Sequence, residues 1–320
     1  MRYHLGMDGG GTKTAFVLLD PDGGVVARST QPSCYYFGSA GGLAGVERVV
    51  ADGVREVTAQ IAPQDVEFAF FAFPGYGEVS GDVAALDELP ARVLGHRRYL
   101  CGNDMVSGWA GALGGRDGVN VVAGTGSIAY GEHEGRTRRT GGWGELFGDE
   151  GSAHWVAVEG LRAFSRMADG RAPRTPLHDA VLAAAGVRHA HDVIGVVLDD
   201  WGSRRADVAR LAPLVTEAAA AGDDTARRIV GAAAAELAGL VESTALALGH
   251  RPGEEVLVSG TGGLFQAPVV RTAFLEALHR SRFALEPVEP RYDPGVGSAL
   301  YARRRSPRRA PAGTPSGTPS

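Results

Sequence analysis

The 320-residue sequence contains only two cysteines and carries no excess of positive charge. Cys34 and Cys101 are too few for a disulfide framework or a zinc site, and two free thiols fit a reducing, cytoplasmic compartment. A formal net charge of −5 provides no basic field, so we expect no nucleic-acid partner. The N-terminal residues lack an apolar signal-peptide core, and the longest apolar stretch, from Ile229 to Leu248, is interrupted by Glu236 and Glu242. That stretch predicts a buried helix, and we expect no membrane partner.

What the sequence does contain in quantity is glycine, with 47 residues that cluster between apolar segments. These segments alternate between strand-like and helix-like periods, which predicts an α/β fold. The order strand, Gly/Thr turn, strand, hairpin occurs twice, which indicates an internal duplication with a domain boundary between residues 110 and 118. Strands are predicted at 3–7, 14–19, 25–29, 67–73, 99–101, 119–123, 128–132 and 255–259, with helices at 43–61, 106–113 and 294–304 and from residues 153 and 268 onward. The segment 305–320 is rich in Arg, Pro, Ser, Gly and Thr and is expected to be a disordered tail.

The first glycine turn, residues 8–14, has the composition of an anion site. Glycines bring backbone N–H groups close to a phosphate, and the same turn adds the Thr12 hydroxyl and the Lys13 ammonium group. Asp8, at the end of the preceding strand, can hold Mg²⁺ directly or through water. A P-loop is excluded because Thr12 separates Gly11 from Lys13, and a dinucleotide fingerprint is excluded because residues 15–19 look like a strand rather than a helix. A glycine hairpin without a ligand remains the alternative. The phosphate-binding candidates are Gly10, Gly11, Thr12 and Lys13.

Two further glycine loops follow strands in the second half of the chain. The loop after strand 119–123 repeats the anion-binding chemistry and, paired with the first turn, suggests two hairpins that hold one polyphosphate from opposite sides of a cleft. The loop after strand 255–259 can pass flat against an adenine, although a generic strand-to-helix turn explains it equally well. The candidates are Gly124, Thr125, Gly126 and Ser127 for phosphate and Gly260, Thr261, Gly262 and Gly263 for adenosine.

A carboxylate stands directly between a predicted strand and a predicted helix, at Asp104. In that position it can orient an attacking hydroxyl and accept its proton during phosphoryl transfer. An aspartate that merely caps the following helix is an equally good interpretation of the residues themselves.

The segment 141–152 is the most unusual of the sequence, because half of it is glycine and tryptophan. Such a loop can wrap a small ligand, with an indole as a flat apolar face and carboxylates that hydrogen-bond sugar hydroxyls. Capping of the next helix would explain the acidic residues but not the glycines. The candidate sugar-binding residues here are Gly142, Trp143, Asp149 and Glu150.

In this order and spacing, the five segments resemble the acetate-kinase/sugar-kinase/Hsp70/actin superfamily, and within it the BadF/BadG/BcrA/BcrD ATPase family, whose best-understood enzymes are N-acetylglucosamine kinases. The resemblance extends from Tyr3 to Ala302. It implies two ribonuclease-H-like (actin-like ATPase) domains around a central cleft, residues 1–112 and 113–293, with helix 294–304 completing the first domain, and it implies a homodimer. It also implies ATP and Mg²⁺ as cofactors, Asp104 as catalytic base, and a sugar bound near Trp143 and Asp149.

Two positions depart from the family pattern. Such kinases often carry an Asn that binds sugar hydroxyls where Cys34 stands here, and a thiol is a poor partner for a hydroxyl. Ile128 stands where some sugar-binding relatives have a polar residue. The predicted function is phosphorylation of an amino sugar such as N-acetylglucosamine or glucosamine, with Cys34 at the sugar subsite. The alternatives are an ATPase that drives electron transfer through a cysteine-bound iron–sulfur cluster, and a non-catalytic sugar sensor.

Overall fold

The computed structural model describes residues 2–35, 42–77, 80–202 and 204–307. The predicted disordered tail lies outside these residues from position 308 onward. In chain order the elements are β1 (Tyr3–Gly9), β2 (Lys13–Leu19), β3 (Val25–Pro32), α1 (Gly42–Val57), β4 (Val66–Phe73), α2 (Val83–Leu94), β5 (Tyr99–Asn103), α3 (Asp104–Leu113), β6 (Gly118–Ala123), β7 (Ser127–His133), β8 (Arg136–Gly141), α4 (Ala153–Ala168), α5 (Pro176–Ala185), α6 (Asp192–Gly195), α7 (Arg205–Ala209), α8 (Ala212–Ala220), α9 (Asp224–Leu248), β9 (Glu255–Thr261), α10 (Pro268–His279), β10 (Ala284–Pro287) and α11 (Pro294–Arg305). They form two units, one of residues 1–111 together with the chain from Asp293, the other of residues 112–292.

The first unit is built on a five-stranded sheet with the order β3-β2-β1-β4-β5. Strands β1, β2 and β3 pair antiparallel, whereas β4 and β5 extend the sheet in parallel from β1. Side chains of β2 alternate between the two faces: Phe16 and Leu18 pack with α1, while Val17 and Leu19 pack with Val296 of α11. Because helices cover both faces, the central strands are almost wholly apolar.

The second unit repeats this topology, with the sheet order β10-β9-β6-β7-β8. Strands β6, β7 and β8 are antiparallel, and β9 and β10 are parallel to β6, so the order matches the first sheet strand for strand. The duplication predicted from the order of the elements is therefore present in the fold.

Helix α9 is the core helix of the second unit. By length and composition alone it could span a bilayer, and no other helix in the described parts of the chain meets that test. A core helix has the same composition, and α9 buries Leu237, Val241 and Leu248 among the strands and helices of its unit. Burial in the core is what the interrupting glutamates predict.

Three elements were not predicted from the sequence. Helix α2 contains Pro90, which weakens its helical pattern. Strand β8, Arg136–Gly141, lacks any apolar side chain, so it has no strand-like alternation. Strand β10 has only four residues at a sheet edge. The predicted helix 43–61 ends earlier, at Val57, where Thr58 turns its hydroxyl back to the Val54 carbonyl.

Helix α11 approaches the first sheet backbone to backbone. A Cβ at Gly6 of β1 would overlap the backbone of Ala299, and a Cβ at Gly297 would overlap the backbone of α3 at Ser107 and Gly111. Glycine at these two points therefore sets how closely α11 can pack against β1 and α3.

We expect Gly6→Ala to destabilise the protein by about 1–3 kcal/mol, because a backbone neighbour cannot rotate away from the added methyl group. The matched control is Gly231→Ala in α9, where a Cβ meets no atom within 4 Å. There the same change should be neutral or stabilise by roughly 0.5–1 kcal/mol through helix propensity. Urea denaturation of both variants measures the difference, and equal effects would contradict the close packing at Gly6.

Candidate active site

Two carboxylates lie at the carboxyl edge of the first sheet. Asp8 of β1 and Gly102 of β5 both align with Ala72 of the strand between them, and Asp104 follows two residues later as the first residue of α3. In open α/β sheets, ligands bind at the carboxyl ends of the strands. The cap of α3 comes from Asn103, whose Oδ1 accepts a hydrogen bond from the Met105 N–H at 3.1 Å. Asn103 therefore caps the N–H group of Met105 at the start of this helix.

The Asp8 carboxyl group is electrostatically strained. Burial, followed by repulsion from Asp104, raises its pKa from 3.8 to about 7, against the lowering effects of a hydrogen bond from Ser107 and the charge of Lys13. A divalent cation beside these oxygens would relieve both the desolvation and the repulsion. Hard carboxylate oxygens are the donors Mg²⁺ prefers, so the residues fit the ion that the family resemblance implies.

The first glycine turn leaves backbone donors for an anion. The Gly10 N–H donates to the Lys13 carbonyl at 2.9 Å, which closes the turn, and the Ser33 hydroxyl braces it at the Gly10 carbonyl. No hydrogen bond occupies the N–H groups of Gly11 or Thr12 among the described residues, and a Cβ at Gly11 would face open space. The turn therefore has the donors and the room that a phosphate needs.

The second glycine loop is tied to the start of α4. The Gly124 N–H donates to the Gly126 carbonyl, while the Ala153 N–H donates back to the Gly124 carbonyl, both at 2.9 Å. The Ser127 hydroxyl is used inside the protein, since it donates to the Glu150 carbonyl at 2.7 Å. Backbone N–H groups of this loop, rather than the Ser127 side chain, are thus its candidates for phosphate contact.

The predicted adenosine loop lies beside the second glycine loop. Strands β9 and β6 are parallel neighbours, with Thr261 opposite Val122, and the Thr261 hydroxyl contacts the buried Asn120 amide at 3.2 Å. Gly262 has a φ of +103°, and its Cα lies so close to the Ala123 carbonyl that a Cβ would overlap it. The fold therefore brings Gly260–Gly263 and Gly124–Ser127 together within one unit.

The predicted sugar loop is split between an exposed and a buried part. Trp143 is 71% exposed, whereas Asp149 is 3% exposed, has a φ of +57°, and pairs with Arg205 at an Nη2–Oδ2 distance of 2.5 Å. Arg205 also lies 3.4 Å from Glu145. Helix α4 is capped by Ser152, whose Oγ accepts from the Trp155 N–H, so capping does not explain Asp149.

Sequence reasoning missed Arg205. Its guanidinium contacts Asp149, 56 positions earlier, and stands directly above Gly126, where a Cβ would overlap it. No motif marks Arg205, because its role depends on two loops that meet only in the folded unit. The signal available from the sequence was indirect: a buried Asp149 needs a cationic partner.

Comparison with known proteins decides the family. A family model described as the BadF/BadG/BcrA/BcrD ATPase family matches residues 5–302. The chain belongs to this family. An N-acetylmuramic acid/N-acetylglucosamine kinase of Clostridium acetobutylicum is 27% identical over 305 residues, which cover 95% of this chain and 99% of that relative. An N-acetyl-D-glucosamine kinase of Dictyostelium discoideum is 30% identical over 309 residues, covering 93% and 97%.

A solved structure with a comparable sequence identity supports the fold. The crystal structure of a protein from Chromobacterium violaceum assigned as an N-acetylglucosamine kinase superposes with a TM-score of 0.69 at 28% identity, covering 95% of this chain and 99% of that one. The family resemblance and the α/β fold class predicted from the motifs are both confirmed.

Cys34, the departure from the family pattern, lies in the core of the first unit. Its side chain is 2% exposed, its N–H donates to the Thr14 hydroxyl, and its sulfur packs against Gly9. Burial raises the pKa of the thiol to about 11. Cys34 thus offers no surface to a ligand in this conformation, and its predicted contact with the sugar stays a prediction.

We expect Asp8→Asn to stabilise this BadF-family protein in the absence of ligands at pH 8. Because the folded pKa of Asp8 is raised, the cost of ionising it is absent below pH 3.8, grows as the pH rises, and is complete above about pH 7. The amide avoids that cost, so the gain should be about 1–3 kcal/mol at pH 8, allowing for partial screening, and should shrink towards pH 4.

Thermal and urea unfolding at both pH values measure this gain. The exposed Asp65→Asn in the same unit is the charge-matched control and should change stability little at either pH. A pH-independent effect of Asp8→Asn would contradict the electrostatic strain at Asp8.

Proposed function

We propose that this protein is an ATP-dependent sugar kinase that transfers the γ-phosphoryl group to a hydroxyl of an amino sugar. The observation that carries the proposal is the placement of Asp104 at the carboxyl edge of the first sheet, beside Asp8 and after a cap supplied by Asn103. A carboxylate at such a place can orient the attacking hydroxyl of a bound substrate and accept its proton.

Each group has a role in this proposal. Asp104 orients the sugar hydroxyl and accepts its proton as the new O–P bond forms. The N–H groups of Gly11 and Thr12 and the Lys13 ammonium contact the phosphates, as do N–H groups of the Gly124–Ser127 loop, and Gly260–Gly263 pass against the adenosine. Mg²⁺, when bound with ATP, neutralises phosphate charge, and Asp8 would hold it directly or through water.

The sugar subsite is proposed around the loop that carries Trp143. Its exposed indole offers a flat apolar face for a sugar ring, and the half-buried Glu150 offers an acceptor for hydroxyls, whereas Asp149 is buried against Arg205 and would have to be uncovered to meet a sugar. Arg205 fixes the Asp149 carboxylate, so that residue would be oriented before the sugar arrives. The relatives named above act on N-acetylglucosamine or N-acetylmuramic acid, which supports an amino sugar as the substrate class.

No observation favours the electron-transfer alternative. Cluster ligation requires thiolates, and burial raises the pKa of both the Cys34 and Cys101 thiols. Cys34 packs in the core and Cys101 has its sulfur 3.8 Å from the Leu86 carbonyl, so neither is arranged to share a cluster.

Asp104→Asn tests the proposal directly. We expect phosphorylation to fall by about 10²–10⁴-fold, because the amide cannot accept the hydroxyl proton, while the Kd for ATP changes less than about threefold. Wild type and variant are assayed against N-acetylglucosamine, glucosamine, N-acetylmuramic acid, glucose and aminocyclitols, with ATP binding measured by calorimetry.

Asp65→Asn serves again as the control and should keep wild-type turnover. If Asp104→Asn keeps near-wild-type turnover, Asp104 is not the catalytic base. If the wild-type protein phosphorylates no sugar of the panel, the proposed function is wrong.

Lys13 permits a second, independent test, because it is the only lysine in the sequence. An acyl-phosphate derivative of ATP transfers its acyl group to an amine beside the bound phosphates. We expect one labelled side chain, Lys13, with labelling suppressed by excess ATP and absent in Lys13→Arg. Labelling that ATP does not suppress, or that equals the labelling of urea-unfolded protein, would place Lys13 outside the nucleotide site.

A further inference from the structure

The two glycine loops that are candidates for phosphate binding differ in charge. The first turn contains its own cation, Lys13, whereas the second hairpin, residues 118–135, contains no lysine or arginine. In the fold, Arg205 at the start of α7 brings a guanidinium group to this hairpin and lies against Gly126. The second loop therefore acquires through packing the positive charge that its own sequence lacks.

Glycine at position 126 is explained by this contact rather than by the backbone. Gly126 does not have a positive φ, so no left-handed conformation calls for glycine there. A Cβ at this position would overlap the Arg205 guanidinium and would lie 2.6 Å from Asp149 Oδ2. The missing side chain is what lets the guanidinium lie on the loop. The same loop offers the N–H groups of Thr125 and Gly126, which no hydrogen bond occupies among the described residues.

Arg205 has more donors than the protein uses. A guanidinium carries five N–H bonds. Nη2 pairs with Asp149 at 2.5 Å, and Nη1 lies 3.4 Å from Glu145. The Nε–H is buried and has no hydrogen-bond partner in the part of the chain that the structure describes, which costs free energy until an acceptor meets it. The side chain as a whole is 35% exposed, so a ligand can reach the remaining donors.

The charges around the loop make a cation necessary if a polyphosphate is to bind. Asp149 and Glu145 place two carboxylates beside Arg205. His154 also lies beside the loop, where its N–H donates to the Thr125 carbonyl at 3.4 Å, but burial lowers the pKa of its imidazole below 6.5, so the ring is neutral at pH 7. Arg205 stays charged at any such pH. Without it, the two carboxylates would repel an anion at this loop.

We propose that Arg205 is a further nucleotide-contacting residue, whose guanidinium donates to phosphate oxygens held at the Gly124–Ser127 loop. This inference rests on the proposed function, in which that loop contacts the phosphates of ATP. The planar fork of a guanidinium matches two phosphate oxygens, and such charge-assisted contacts are about twice as strong as neutral ones. The competing role is structural, with Arg205 serving only to neutralise the buried Asp149.

Nucleotide binding separates these two roles. Calorimetry compares the Kd for ADP with the Kd for adenosine in the wild type, Arg205→Gln and Arg204→Gln. We expect Arg205→Gln to raise the Kd for ADP by about 10-fold or more and to leave the Kd for adenosine nearly unchanged, because only the phosphates lose a contact. A purely structural role would lower thermal stability without changing the ratio of the two affinities.

Arg204→Gln is the matched control. It removes the neighbouring guanidinium, whose side chain is 70% exposed and pairs with Asp207 at 2.6 Å. The change in charge is the same, but no contact with Gly126 or Asp149 is lost, so both Kd values should stay at the wild-type level.

Replacement of Arg205 by lysine gives an independent readout, because the wild-type chain has only Lys13. With the acyl-phosphate derivative of ATP, we expect Arg205→Lys to carry label on Lys13 and at position 205, both suppressed by excess ATP. Arg204→Lys adds an amine one residue away, and any label at position 204 should be insensitive to ATP.

Three outcomes would overturn the proposal: an unchanged Kd for ADP in Arg205→Gln, an equal rise in the Kd values for ADP and adenosine, or no ATP-suppressed label at position 205. If Arg205→Gln does not fold, the double variant with Asp149→Asn removes the unpaired buried carboxylate and is compared in the same way. No measurement here needs a sugar, so all remain decisive if no sugar is phosphorylated. Wild-type protein that binds no ADP and shows no ATP-suppressed label on Lys13 would instead overturn the proposed function.

Discussion

The burial of Asp8 beside Asp104 is the constraint around which the carboxyl edge of the first sheet is arranged. Burial, followed by repulsion from Asp104, raises the pKa of Asp8 to about 7, so ionising Asp8 costs free energy in the folded chain. The surrounding structure keeps the pair together: parallel pairing through β4 aligns their strands, Asn103 caps α3, and the packing of α11 fixes the end of β1. A cation beside the two carboxylates would offset the cost of holding them together.

The second unit has the same topology but different loop contacts. Its glycine loops carry no comparable acidic pair; instead, a hydrogen bond ties Gly124 to the start of α4, and Arg205 pairs with Asp149 of the predicted sugar loop. Arg205 lies against Gly126 and pairs with Asp149, so a single side chain outside every motif contacts both the predicted phosphate loop and the predicted sugar loop.

Local sequence chemistry was enough to predict three features of the structure. Glycine spacing predicted the glycine turns, an acidic residue between a strand and a helix predicted the position of Asp104, and the spacing of apolar residues predicted the repeated strand order. The contacts of Arg205, the burial of Cys34 and the cap from Asn103 could not be predicted, because they depend on which segments pack together in the fold. Cys34 is predicted at the sugar subsite from the motif order; its burial follows from Gly9, which lacks a side chain and leaves the space that the thiol fills. Strands β8 and β10 were not predicted for the same reason, because the conformation of an edge strand depends on pairing with its neighbour more than on its own residues.

Helix α11 has a consequence for the order in which the chain can fold during synthesis. The second unit is continuous in sequence, from residue 112 to 292, so all of its strands and helices are available before α11 leaves the ribosome. The first unit is interrupted by the second: Val17 and Leu19 of β2 find their partners, Val296 and Ala299, only after the whole of the second unit has been synthesised. The part of the first unit that precedes residue 112 is therefore completed by α11 only after the second unit has been made, and until then Val17 and Leu19 lack their apolar partners.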